Sequence, residues 1–283
     1  MIRNFFKTVI TMLAIAMTAV SNPAQAQTNK TPDFGTSFGS WTTDRYDPQV
    51  WSLTNGFQGR NNVIDIGVNT TGSLPNRAAP YQNSFYNTQG KTIGIDGIGI
   101  APSGDQYLSM DLWVDQNWST SATGGLVSTS MWSRVNQVNA NDESTAWYPI
   151  LGFTNIGGAG AFRYWDSNLG WQTLGAAVNY GAWNTLQILY SGNSFTAYVN
   201  GTSYYNEVAG AGTVRLTNAF LENYNFDPSF LNNANGGVYD ARWSNTPGAP
   251  SDVVPEPATM TLLATGLAGM AAAQKRKKKA QQV

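Results

Sequence analysis

Residues 183–201 read WNTLQILYSGNSFTAYVNG. Leu186, Ile188 and Tyr190 alternate with Gln187 and Leu189, the period of two expected of a strand with one face in the core. A polar connection follows, Ser191, Gly192, Asn193 and Ser194, and beyond it Phe195, Ala197 and Val199 again share one face. A four-residue loop containing Gly and Asn suits a reversal built on a type I turn. The segment therefore predicts an antiparallel hairpin, and the rest of the body reads in the same period.

Gly, Asn, Ser and Thr clusters punctuate short β-branched and aromatic runs, with no convincing 3.6-residue apolar stripe between them. Predicted strands are Ser40 to Arg45, Asn62 to Val68, Tyr107 to Asp115, Gly125 to Arg134, Tyr148 to Asn155, Ala161 to Asp166, Trp171 to Leu174, Trp183 to Tyr190, Phe195 to Asn200, Val214 to Leu221 and Gly237 to Trp243. Strands without intervening helices favour two packed antiparallel sheets. The pattern Trp183, Leu186, Ile188, Gly192, Phe195, Tyr198, Val199, Asn200, Gly201 resembles the late hairpin of laminin-G and concanavalin-A-like jelly rolls. That resemblance implies an all-β antiparallel sandwich of jelly-roll type over residues 27–248, with 249–253 as a linker.

The two ends are of another kind. Residues 1–26 carry Arg3 and Lys7, an apolar core from Val9 to Val20, and the small-residue ending Ala24, Gln25, Ala26. These are the parts of a secretory signal helix, with cleavage expected before Gln27. At the other end Pro255, Glu256 and Pro257 precede an apolar run, 258–273, and the cluster Lys275, Arg276, Lys277, Lys278, Lys279. As a helix rising about 1.5 Å per residue, the run reaches roughly 24 Å, enough for a thin membrane. The cations keep to the cytoplasmic side, which leaves everything before Val254 facing outward.

The order Val254, Pro255, Glu256, Pro257, Ala258, Thr259, apolar segment, basic cluster closely resembles the PEP-CTERM sorting signal of exported bacterial proteins. Over residues 254–279 the resemblance implies a tail that holds the protein at the inner membrane until an exosortase processes it. It also implies a cargo associated with exopolysaccharide and biofilm matrix. An ordinary C-terminal anchor is the alternative, and it places the body outside the cell as well.

Composition narrows the chemistry. Of 16 Lys and Arg, seven lie in the two terminal segments, and of 17 Asp and Glu only Glu256 does. The body keeps nine cations against sixteen carboxylates, a net charge of about −7. An acidic surface repels phosphate backbones, so nucleic acid is not an expected partner. The chain has neither Cys nor His, so no disulfide staples it and zinc held by those ligands is excluded. Gly35, Thr36, Ser37, Phe38, Gly39 matches the Gly-x-Ser-x-Gly of hydrolase elbows, but that elbow requires a His base. Calcium is the metal for which oxygen ligands exist, in Asn225, Asp227, Asn232, Asn233, Asn235 and the pair Asp142, Glu143. No ordered Asp-x-Asp-x-Asp spacing accompanies them, so no cofactor is expected and loop-bound calcium is the alternative.

Two strands offer ligand-facing surfaces. In 107–115, Leu108, Met110, Leu112 and Val114 point one way, while Tyr107, Ser109, Asp111, Trp113 and Asp115 point the other. A Trp plane flanked by carboxylates suits the C–H face and hydroxyls of a pyranose; an ordinary wet outer face is the plain reading. In 161–166 alternation puts Phe162, Tyr164 and Asp166 on one face, Arg163 and Trp165 on the other. That pair is the second ligand-facing candidate. Glucanases of the concanavalin-like fold carry acids at alternate positions of one strand, which Asp111, Trp113 and Asp115 resemble in spacing but not in kind. Positions four apart have Cα atoms roughly 13 Å apart, against carboxyl groups roughly 5 to 5.5 Å apart in retaining hydrolysis. The expectation is an exported, non-catalytic surface or matrix protein that binds extracellular polysaccharide. The alternatives are a self-associating matrix component and a glycan hydrolase.

Overall fold

The computed structural model describes residues 27–69, 72, 76–96, 98, 104–121, 126–139, 142–209, 213–224 and 239–245, without side chains at 137–139, 142–146 and 213–214. The predicted signal helix, linker, membrane helix and sorting tail lie outside these residues, as do Asn225, Asp227 and Asn232 to Asn235. Among the described residues, no helix is long and apolar enough to cross a membrane.

Sixteen strands are present among the described residues: β1 Thr28–Asn29, β2 Thr42–Asp44, β3 Val50–Thr54, β4 Val63–Val68, β5 Thr88–Gly94, β6 Gln106–Val114, β7 Ser128–Asn139, β8 Asp142–Trp147, β9 Ile150–Thr154, β10 Ala161–Asp166, β11 Gly170–Thr173, β12 Ala182–Ser191, β13 Ser194–Val199, β14 Thr202–Val208, β15 Thr213–Tyr224 and β16 Tyr239–Ser244. They form two sheets. The first runs β14-β13-β12-β6-β16-β4-β3, and the second β11-β10-β9-β7-β15-β5-β2 with β8 beside β7. Pairing is antiparallel throughout except where β1 lies parallel to the start of β6. The Gly35–Gly39 stretch is no elbow: α1, Phe34–Ser37, is a single turn capped by Asp33 and runs on into a 3₁₀ turn.

Period-two alternation decides which residues meet between the sheets. Leu108, Met110, Leu112 and Val114 of β6 are buried with Leu186 and Ile188 of β12 and Phe195, Ala197 and Val199 of β13. They share one core with Met131, Leu151, Phe153, Phe162, Tyr164 and Leu221 of the second sheet. Each large apolar side chain so buried contributes about 1.5–3 kcal/mol. With no cysteine in the chain, this packing has to supply the stability.

The hairpin of β12 and β13 forms, but its turn differs from the expected four-residue loop. Ser191 pairs with Ser194, so the loop is the two residues Gly192 and Asn193, with φ of 54° and 65°. Positive φ at both central positions is a type I′ turn, whose twist matches that of paired strands. Tyr190 donates its hydroxyl to Asn193 Oδ1 at 3.1 Å and steadies it. The next reversal repeats the device: Val199 pairs with Thr202, and Asn200 and Gly201 have φ of 49° and 81°.

A polar clasp joins the sheets at the β14 edge. Buried Tyr164 of β10 donates its hydroxyl to Glu207 Oε2 of β14 at 2.7 Å, and the Ser167 N–H donates to Glu207 Oε1 at 2.9 Å. Tyr205 donates to Asp166 Oδ2 at 2.9 Å. Burial, and then the Glu207 carboxylate, push the Tyr164 phenol far above its ordinary range. Its proton therefore stays in place as a donor.

Candidate functional site

The outer face of the second sheet is laid out in two rows. Strand register aligns Trp171, Trp165, Ile150, Trp132, Phe220 and Thr92 in one. The neighbouring row holds Arg163, Gly152, Ser130, Glu222, Gly90 and Asp44. Their chain neighbours Tyr164, Leu151, Met131 and Leu221 all point into the core, so both rows face outward. One row is thus apolar and aromatic, and the other polar with gaps. At Gly152 a Cβ would collide with the Thr129 carbonyl oxygen and with Ser130, so this position is kept empty of a side chain between Arg163 and Ser130.

Over these rows opens a cleft of about 660 Å³, within the roughly 300–1,000 Å³ usual for ligand sites. Strands β7, β9, β10 and β11 build one side, and Arg45 with Ser84, Asn87 and Thr88 the other. Trp165 and Trp171 meet edge to face with ring centroids 5.4 Å apart. Trp132 packs on Phe220 at 6.1 Å. Trp171 and Tyr148 remain 39% and 42% exposed, so aromatic planes at the mouth stay open to a ligand.

Two guanidinium groups enter the cleft. Arg163 lies 3.7 Å over the Trp171 ring, and its Nη2 donates to Ser128 Oγ at 2.6 Å. Burial lowers its pKa to about 10, which leaves it charged at neutral pH. Arg45, held at φ 56°, lies between Trp132 at 4.7 Å and Phe85 at 4.9 Å. Its Nη1 donates to Thr88 Oγ1 at 3.0 Å, and its Nε is 3.5 Å from Asp44 Oδ2. Beneath them Glu222 is fully buried. Burial first, and then the neighbouring Asp44 carboxylate, push its pKa well above 4.5, so it sits there as a neutral acid.

The candidates on β6 lie on the outer face of the first sheet. Loop 55–62 folds over them: Arg60 pairs with Asp111, and Phe57 meets Trp113 at 5.6 Å and Trp183 at 5.9 Å, both edge to face. Trp113 and Trp183 are themselves 5.7 Å apart. Tyr107 is buried, and Asp115 accepts from the Asn117 N–H at 2.9 Å, capping a 3₁₀ turn. Of the six ligand-facing candidates, Arg163 and Trp165 thus share the cleft and the other four do not. Trp132, Tyr148, Trp171 and Arg45 complete it. The alternation of Ser128, Ser130 and Trp132 against Thr129 and Met131 carries a signal for the β7 residues; nothing local marks Arg45. Among the described residues, no group of three or more His, Cys, Asp or Glu is placed to hold a metal.

Fold and cleft together define a class: an all-β sandwich of two largely antiparallel sheets, with an aromatic cleft on the outer face of one of them. Residues 253–277 match the PEP-CTERM protein-sorting motif, which indicates a protein exported and sorted to the cell surface. Structural neighbours are jelly-roll sandwiches of carbohydrate-binding and glycoside-hydrolase-like type. They include the carbohydrate-binding module CBM66 from Bacillus subtilis, at 10% identity and a TM-score of 0.35, over 73% of this chain and 92% of that one. The Bacillus licheniformis beta-glucanase is 11% identical with a TM-score of 0.33, over 74% and 99%. A sialidase, 14% identical with a TM-score of 0.40, is matched by 79% of this chain over only 18% of its own length. These likenesses are of fold alone. No curated protein matches the sequence.

Proposed function

We propose that this is an exported, non-catalytic surface or matrix protein that binds extracellular polysaccharide in the cleft on its second sheet. On this reading the tail holds it at the inner membrane until an exosortase-type enzyme processes it. The observation that carries the reading is the cleft of about 660 Å³ with Trp165, Trp171 and Tyr148 on its walls. Aromatic planes accept the apolar faces of sugar rings, and the adjacent Ser128, Ser130 and Arg163 supply partners for hydroxyls. Binding without turnover is supported by Glu222: the carboxyl with a strongly raised pKa is sealed beneath the surface, its oxygens out of contact with solvent. A general acid has to reach the bond it protonates.

A glycan array probed with the full chain tests this, together with a Trp165→Ala/Trp171→Ala variant. The expected result is hits on polysaccharide that weaken about tenfold or more in the variant, which should still unfold in one cooperative transition. An array without hits, or hits that survive the double substitution, contradicts the reading. Release of reducing ends from a bound glycan contradicts its non-catalytic part.

Self-association is favoured by one separate observation. Strand β14 is the edge of the first sheet, carries exposed Tyr204 and Val208, and has neither Lys nor Pro to blunt strand addition. Light scattering that stays monomeric across concentrations would remove it.

A further inference from the structure

We propose that the cleft selects acidic polysaccharide and that Arg163 receives the carboxylate of a uronic-acid residue; this rests on the cleft being the glycan site. Arg60, Arg242 and Lys91 pair with Asp111, Asp65 and Asp47, and Arg45 leans on Asp44. Arg163 has no carboxylate partner among the described residues, nor do Arg77, which donates to the Gly72 and Tyr86 carbonyls, and Arg134, which donates to Thr217; of the three, Arg163 is the one that lines the cleft. It is also partly buried there. A half-buried charge without a counter-ion is costly, and an anion arriving in the cleft offsets that cost.

The chemistry of the guanidinium narrows the anion. It is held 3.7 Å over the Trp171 ring, and of its five N–H donors one is engaged, by Ser128 Oγ. A planar fork of free donors matches a carboxylate bidentately. Arg163 and Trp165 are two apart on one face of β10, roughly 7 Å along the strand. That separation lets one pyranose ring rest on Trp165 while the carboxyl group on its C5 carbon reaches Arg163. Among the described residues, neither carboxylate beside the cleft competes for the site: Asp44 is engaged by Arg45, and Glu222 is sealed. The body as a whole, at about −7, repels polyanions, so attraction depends on the local charge of the cleft.

The test titrates the full chain at physiological salt with polygalacturonate, polymannuronate and hyaluronan, with their carboxyl-reduced neutral forms, and with dextran sulfate. The proposal expects at least one polyuronate to bind and its carboxyl-reduced form to bind roughly ten- to hundredfold more weakly. Arg163→Met should lose a similar factor for the polyuronate, Arg163→Lys less, and both should cost the reduced polymer distinctly less than the native one, since a single hydroxyl replaces the bidentate carboxylate. Near-ultraviolet circular dichroism of both variants confirms the fold, and the reduced polymers need no variant at all. Equal binding of reduced and native polymer overturns acid selection while leaving the cleft reading standing, as does full affinity in Arg163→Met. Tighter binding of dextran sulfate than of any polyuronate overturns the carboxylate assignment. Absence of binding to every polymer, neutral ones included, overturns both readings.

Discussion

Substituting Glu222 by Gln should stabilise the protein at neutral pH and flatten its stability profile. Glu222 is buried beside Asp44, and its native pKa lies well above the ordinary 4.5. In the unfolded chain the carboxyl ionises near 4.5, whereas in the fold it keeps its proton to much higher pH. Between those two values the folded state binds more protons than the unfolded state, so stability falls as pH rises. The contribution is fully present below 4.5 and is lost as pH climbs toward the native value. The slope is at most about 1.4 kcal/mol per pH unit. From pH 5 to pH 7 the native protein should therefore lose up to about 3 kcal/mol relative to Glu222→Gln, or roughly 5–10 °C of Tm for a domain of this size. The assay is thermal unfolding of both proteins at half-unit steps from pH 5 to pH 8, read as a difference so that other titrating groups cancel. Parallel profiles would show that Glu222 is already ionised in the fold and would refute the reasoning.

Tyr164→Phe should cost about 2 kcal/mol, since it strips one donor from the buried Glu207 carboxylate; chemical denaturation reads this directly, and a neutral result would mean that water takes the donor's place. Trp113→Ala should destabilise by on the order of 2 kcal/mol through loss of the cluster with Phe57 and Trp183, while leaving glycan affinity unchanged in the same titration that reads the cleft. Gly192→Ala, at φ 54°, should cost about 1 kcal/mol because a Cβ is strained there. Gly39→Ala, where a Cβ meets nothing within 4 Å, is the control and should change the unfolding midpoint little.

Much of the architecture was legible because it is local. All eleven expected strands are present, and Ala161–Asp166 falls where alternation put it. Of the strands that were not foreseen, β5 and β14 have weak local signals. Strand β5 contains Gly90 and Gly94, with Ile93 its one buried large apolar residue. Strand β14 lies at an edge and turns mostly polar residues outward. The Asn200-Gly201 pair carries a type I′ signal for the reversal into it, and the Gly192-Asn193 turn proves to be of the same kind where a four-residue loop was expected. The cleft was half legible. Alternation separated Arg163 and Trp165 from the core, but their neighbours come from pairing β10 with β9 and β9 with β7, a register that the sequence does not display. Trp113 shows the converse: its outward direction was readable, and the loop that brings Phe57 over it was not.

Hydrogen–deuterium exchange of the full chain, with and without a saturating polysaccharide, tests the central claim most directly because it reports where the ligand sits. Protection is expected in 84–88, 128–132 and 163–171, with no change in loop 55–62 over Trp113. Protection confined to loop 55–62 and its surroundings, with the second sheet exchanging as before, would contradict the account.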